Sequence, residues 1–355
     1  MTTNSIPDKY LTIDQDGFVI FDGNRLESKE EGLILLQNMR PREGFGTRIE
    51  TEFQGVRAII EAFDTPLIIQ RVELNSSNTE ELKLTANYDF KTTVQLQNLY
   101  LDEWDRFRGY TEQGIPFVFT RPAQAMFFNL CDEFTDETVT INGSEYTPKT
   151  WLAPNTEVSD ELFWSSRYQK ESTPWDMERP HPALASVLPQ LKLNKQRILV
   201  LGCGSAHDAA FLADAGHIVT AVDFSKAAIE KAQTKFGDRA NLKFFHGDAF
   251  QLPETFQGQY DLVFEHTFQC AINPEKRNDL VKVWNRCLHR EGYLLGLFFV
   301  FDRPGGPPFG GSEWEIKSRL DPYFDFLYWT RWRRSEDERQ GSELIVYGQR
   351  KARNE

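Results

Sequence analysis

Gly202 and Gly204 interrupt one apolar run, Asp223 closes the next, Asp248 follows a third, and Glu265-His266 ends a fourth. Glycines let backbone N–H groups and a helix N-terminus come close to a ligand. An acid roughly twenty residues beyond the first glycine is placed to grip ribose hydroxyls. A histidine is the side chain that exchanges a proton near neutral pH. These types at these spacings describe a nucleotide-type cofactor site with a titratable imidazole at the end of a neighbouring run.

The elements that position them follow from pattern. Ile198 to Leu201 is an unbroken apolar run, which suits a strand buried on both faces of a parallel sheet. A helix over Ala209 to Ala215 ends at Gly216 as a C-cap, and Ile218 to Val222 is the next strand. Alternation continues: helix Lys226 to Phe236, strand Leu242 to His246, strand Tyr260 to Glu265, helix Pro274 to Leu288, a turn at Glu291-Gly292, and strand Tyr293 to Phe301. Phe324 to Trp332 and Glu343 to Arg350 add two strands, one of them antiparallel at the sheet edge. The expected fold class is α/β, a doubly wound, seven-stranded, mostly parallel sheet, preceded by a smaller β-rich α+β domain.

The chain has 355 residues, 40% hydrophobic and 13% aromatic, so two packed domains are expected. Residues 1–150 form the first and 151–355 the second, with 151–196 a linker and lid-like segment; Phe163 to Leu184 shows no regular period. A formal charge of -13, with basic residues clustered only at Arg331 to Arg334, argues against nucleic acid as partner. The N-terminal segment lacks a basic start and an apolar core, and Tyr293 to Phe301 is too short to span a bilayer, so a soluble, cytoplasmic protein is expected. Cys131, Cys203, Cys270 and Cys287 have no paired spacing; they read as packing residues, and neither disulfide nor metal is expected.

In the first domain, Asp16-Gly17 and Asp22-Gly23 mark turns around FVIF, and Ser28 with Glu31 forms a capping box for a helix to Met39. Strands are expected at Thr47 to Phe53, Val56 to Phe63, Leu67 to Leu74, Leu82 to Thr85, Thr93 to Leu96 and Pro116 to Phe119, with a helix from Arg121 to Glu133, in two small sheets or a split barrel. The phrases IIEAFDTPLIIQRVE and PFVFTRPAQAMFFNL resemble a small bacterial domain of unknown function, which supplies no activity. An accessory or oligomerisation role is expected.

Two cofactor classes compete for the glycine stretch. A dinucleotide wants a third glycine for its pyrophosphate, and that position is His207. S-adenosylmethionine needs only close backbone approach, an acid on the ribose and one near the adenine, which Asp223 and Asp248 supply.

Residues 163–350, through RYQKESTPWDMERPHP, VLGCGSAHDAAFLADAGHIVTAVDFSKAAIEKA, GDAF, FEHTFQCAINPEKR and FDRPGGPP, resemble the class I methyltransferases of the thiopurine, thiol and halide group. The resemblance implies methyl transfer from S-adenosylmethionine, leaving S-adenosylhomocysteine, to a small soft nucleophile such as a thiol, sulfide, selenol or halide. It places Gly202, Cys203, Gly204 and Asp208 at the methionine end, Asp223 and Phe224 at ribose and adenine, and Asp248 with Ala249 at the adenine ring. Glu265 is counted with the cofactor residues. Trp164, Tyr168 and Trp175 would close over cofactor and acceptor, and Phe268 would line the acceptor pocket; Phe309, after the GGPP loop, either caps that pocket or anchors the loop.

One departure bears on the acceptor. Where the family reads DYTFFCA, this chain has Glu265-His266-Thr267-Phe268-Gln269-Cys270-Ala271, with His266 for a tyrosine and Gln269 for a phenylalanine. A more polar pocket follows, suited to an acceptor with hydrogen-bonding groups rather than a bare halide. Positioning alone can supply roughly 7 to 11 kcal/mol, and a thiol of pKa about 8.5 must also lose its proton. His266 is expected to take that proton or to orient the acceptor. N- or O-methylation of a small metabolite, and a sensor that binds the cofactor with the first domain as output, stay open.

Overall fold

The unbroken apolar runs of the second half form one twisted sheet. In the computed structural model, which describes residues 9–21, 23–42 and 48–352, the elements are α1 (Glu161–Gln169), α2 (Pro182–Leu191), β1 (Arg197–Leu201), α3 (His207–Asp214), β2 (Ile218–Asp223), α4 (Lys226–Phe236), β3 (Leu242–His246), β4 (Tyr260–His266), α5 (Arg277–Cys287), β5 (Leu288–Phe299), α6 (Glu313–Leu320), β6 (Phe324–Arg331) and β7 (Glu343–Arg350). Strand order is β3-β2-β1-β4-β5-β7-β6, and β7 alone runs antiparallel to its neighbours β5 and β6. The chain winds outward from β1 to β3, then returns to pair β4 with β1, Val200 opposite Phe264. That reversal opens a crevice at the carboxyl ends of β1 and β4, where ligands of such sheets bind. It also brings Gly202 to the neighbourhood of Glu265 and His266.

Local chemistry accounts for three departures from expectation. The segment expected to be irregular holds α1: Asp160 caps it by accepting the Leu162 N–H at 2.9 Å, and residues 164 and 168 lie one turn apart on one face. The expected turn at Glu291-Gly292 is absorbed into β5 as a shift of register, since Tyr260 pairs with Leu288 but Leu262 with Tyr293. The helix expected from Pro274 starts with a 3-10 turn and becomes α-helical at Arg277.

The residues divide into two compact units: one holds the described residues up to Ala153 with Phe301–Pro304 and Ser312–Glu315, the other Pro154–Val300, Gly305–Gly311 and the described residues from Ile316 onward. In the first unit the described residues form six-, seven- and three-stranded sheets. Ser28 caps the helix Lys29–Gln37, whose Glu31 N–H reaches its hydroxyl at 3.3 Å, and the helix from Arg121 stops at Phe128, short of Glu133. Short strands such as Phe107–Tyr110 and Val139–Ile141 add to those expected. Asp22, Thr47 and residues 1–8, on which the second turn, a strand start and the targeting reading rest, lie outside the described residues. Among the described residues, no helix is long and apolar enough to cross a membrane.

Candidate functional site

The cradle begins where β1 ends. Gly202 and Gly204 both have left-handed backbone, φ 62° and 51°. A Cβ on Gly202 would stand 2.5 Å from Phe268 Cγ, and one on Gly204 2.6 Å from the Tyr168 hydroxyl. Asp223, at the end of β2, ties the loop down: Oδ2 accepts the Gly204 N–H at 2.7 Å and Oδ1 the Ser225 N–H at 2.8 Å. Burial pushes the Asp223 carboxyl up to about 6, against those hydrogen bonds.

Three aromatics stand beside this loop. Tyr168 is buried and accepts the Trp175 indole N–H at 3.3 Å; the Trp164 and Trp175 rings meet edge to face at 5.6 Å. Burial, with the Asp223 charge, raises the Tyr168 phenol well above its ordinary range, so its hydroxyl stays protonated. Next in line, the Gly247 N–H donates to the Asp223 carbonyl at 3.0 Å. Asp248 then accepts the Phe250 N–H at 2.8 Å and heads a short turn containing buried Ala249, with half-buried Phe224 at the end of β2. An adenosyl group fits these residues on two counts: side chains are excluded where backbone approach is needed, and a desolvated carboxylate sits at the loop's hinge.

His266 belongs to a second cluster, drawn from four elements. Its Nδ1 lies 2.7 Å from Asp208 Oδ2 at the start of α3, while its Nε2 is buried with no hydrogen-bond partner. Asp208 Oδ1 accepts the His181 backbone N–H at 2.7 Å, so both oxygens of this acid, expected at the methionine end, are engaged within the protein. His181, flanked by Pro180 and Pro182, is the N-cap of α2: its Nδ1 accepts the Ala183 N–H at 3.1 Å, and its Nε2 lies 2.9 Å from Glu343 Oε1. The two imidazoles meet edge to face at 4.8 Å. Glu343 and Arg339, whose guanidinium lies 3.5 Å from it, were not singled out in the sequence; the Pro180-His181-Pro182 capping pattern was the available signal for His181.

One nitrogen of each ring and one Glu343 oxygen lie within 4.8 Å of one another, a donor set a divalent cation could use. The cap argues otherwise. A neutral imidazole that accepts at Nδ1 carries its proton on Nε2, which is the nitrogen turned to Glu343. Burial holds His181 below its ordinary pKa, so the pair is a neutral N–H donor against a carboxylate.

The remaining candidates surround the turn after β4. Glu265 Oε1 accepts the Phe268 and Gln269 N–H groups at 3.0 and 2.8 Å; its Oε2 is buried without a partner, and burial pushes the acid up to about 7. Phe309 is fully buried, and its N–H bonds to the Cys270 carbonyl at 2.7 Å, so it anchors its loop against the turn that carries Gln269. Burial raises the Cys203 thiol well above its ordinary range and Cys270 to about 12, which leaves neither as a thiolate nucleophile.

The family described as thiopurine S-methyltransferase (TPMT) matches residues 159–341, more than half of the chain. A probable thiol methyltransferase 2 of Arabidopsis thaliana is 33% identical over 164 residues, covering 45% of this chain and 71% of that one. A thiocyanate methyltransferase 1 of the same plant is 32% identical, covering 42% and 67%. A thiopurine S-methyltransferase of Shewanella frigidimarina is 24% identical, covering 46% and 82%. The glycine cradle, the acids at successive strand ends and His181 and His266 all fall inside the matched stretch, with Glu343 just beyond it. This chain belongs to the thiopurine S-methyltransferase family and is an S-adenosylmethionine-dependent methyltransferase.

Proposed function

We propose that the protein methylates the sulfur of a small thiol that carries hydrogen-bonding groups beside the reacting atom. The observation that carries this reading is the bare, buried Nε2 of His266, held in place through Nδ1 by Asp208. The names of the Arabidopsis relatives, a thiol and a thiocyanate methyltransferase, point to the same class of acceptor. Bound S-adenosylmethionine supplies an activated methyl group, so the protein's work is to align, exclude water and receive a proton. Gly202, Cys203 and Gly204 would hold the donor's methionine end, Asp223 and Phe224 its ribose, Asp248 and Ala249 its adenine, and Trp164, Tyr168 and Trp175 would cover it. The reaction balances as thiol plus sulfonium giving thioether, S-adenosylhomocysteine and one proton, and His266 Nε2 takes that proton. Phe268 and Gln269, on the turn after β4, would face the acceptor. On this reading the chemistry lies in residues 151–355, with 151–196 closing over the site, and residues 1–150 are accessory.

A panel of thiols, selenols, amines and halides, assayed at pH 7 by S-adenosylhomocysteine release, tests this. Thiols with polar substituents are expected to lead, and His266→Gln to lower their kcat about a hundredfold. Amines turned over faster than every thiol, or cofactor binding with no turnover of any acceptor, would replace this reading with N-methylation or with a sensor.

A further inference from the structure

Asp208 holds two groups at once: the His181 backbone N–H on Oδ1 and His266 Nδ1 on Oδ2. Burial works to raise this acid, but His266 and the His181 N–H bring it below the usual carboxylate range, so it is ionised and can only accept. His266 Nδ1 is therefore the donor, and Nε2 is the nitrogen with the free lone pair. Across the ring contact, the Ala183 N–H fixes the opposite tautomer on His181, whose Nε2–H donates to Glu343. Glu343 also lies below its ordinary range: burial raises it, and the His181 ring, the Ser335 hydroxyl and His266 together more than offset that.

Resting on the reading of His266 as the base, we propose that Asp208 is a positioning residue that selects the His266 tautomer and that, with His181 and Glu343, it forms a buried well for the proton released on methyl transfer. The titratable and charged groups facing His266 are Asp208 on α3, His181 at the head of α2, Glu343 on β7 with Arg339 just before it, and Glu265 beside it on β4. With Glu265 pushed up to about 7, the ionised carboxylates of this set are Asp208 and Glu343, against the guanidinium of Arg339. The well carries an excess negative charge, which the arriving proton cancels.

Asp208→Asn separates this role from cofactor binding. The new side chain has one carbonyl, and the His181 N–H claims it; its NH2 then faces His266 Nδ1, forcing that nitrogen to accept and Nε2 to carry the proton. Nitrogen-15 spectra of the imidazole rings, assigned with His266→Gln, read the tautomer in the whole protein. The Nδ1–H form is expected in the natural protein and the Nε2–H form in Asp208→Asn. Calorimetric S-adenosylmethionine affinity should stay within twofold, and thiol turnover at pH 7 should fall at least tenfold, bounded by the loss in His266→Gln. If Asp208→Asn does not fold, Glu343→Gln serves: it keeps an acceptor for His181 but removes a charge, and it should move the acidic limb of the thiol rate profile to lower pH. An Nε2–H tautomer in the natural protein, a tenfold weaker cofactor in Asp208→Asn, or one equivalent of tightly held zinc in the purified protein would each overturn the proposal. Unimpaired thiol turnover in His266→Gln would instead remove the base reading, and the tautomer result would stand apart from it.

Discussion

Alanine at Gly202 is expected to weaken S-adenosylmethionine binding at least a hundredfold, about 3 kcal/mol. Left-handed backbone, φ 62° here, costs a residue with a Cβ about 1 to 2 kcal/mol. Overpacking adds about 1 to 3 kcal/mol, because the new methyl stands 2.5 Å from Phe268 Cγ, at the root of that ring. Phe268 cannot retreat cheaply. Its N–H and that of Gln269 are held by Glu265, and Thr267 before it already has φ 63°. At Gly204 the obstacle is the Tyr168 hydroxyl, the far end of a side chain that can swing, so Gly204→Ala should cost less. Calorimetric affinities, with Tm taken on the same samples to separate misfolding from lost binding, check the order; equal losses at the two glycines would contradict it.

Affinity for S-adenosylmethionine should also follow the proton on Asp223. Burial places this carboxyl at about 6, above its ordinary 3.8, and ribose hydroxyls donate best to the ionised form. Below about pH 6, affinity should fall about tenfold per pH unit; above it the curve should flatten. The sign for stability is the reverse: a raised acid favours the ligand-free fold below pH 3.8, and that advantage is lost as pH rises through about 6. Saturating S-adenosylmethionine should therefore raise Tm more at pH 7.5 than at pH 5. Asp223→Asn should abolish the slope and lower affinity about a hundredfold, since one carbonyl cannot serve both the Gly204 and Ser225 N–H groups that now share the carboxylate. A pH-independent affinity between 5 and 8 in the natural protein would refute the assignment.

The parts of the site that were legible in the sequence are those written within about fifty residues of each other. The β1 run, its two glycines, Asp223 and Asp248 are each tied to a strand end by local pattern, and the parallel, doubly wound class of the sheet follows from alternation, though its strand order does not. Helix α1 was hidden because its residues mix aromatic, serine and charged types with no clean apolar stripe. The His181–Glu343 pair joins positions 162 apart through a strand that enters the sheet against the grain, and no local pattern encodes that meeting. The partners of Asp208 were not legible for a physical reason: its two oxygens meet the His181 N–H and His266 Nδ1, 27 and 58 positions away along the chain. In the first unit, Arg106 and Arg108 meet Asp64 and Asp102 in a buried ionic network that no spacing announced.

The first unit is spliced from three stretches of chain. Within it the Trp314 backbone N–H donates to the Phe63 carbonyl at 2.8 Å and its ring packs edge to face on Trp104 at 4.9 Å, while the Ser312 hydroxyl donates to Asp64 at 3.1 Å. Cutting the chain near residue 153 would therefore leave Phe301–Pro304 and Ser312–Glu315 without the partners they pack on.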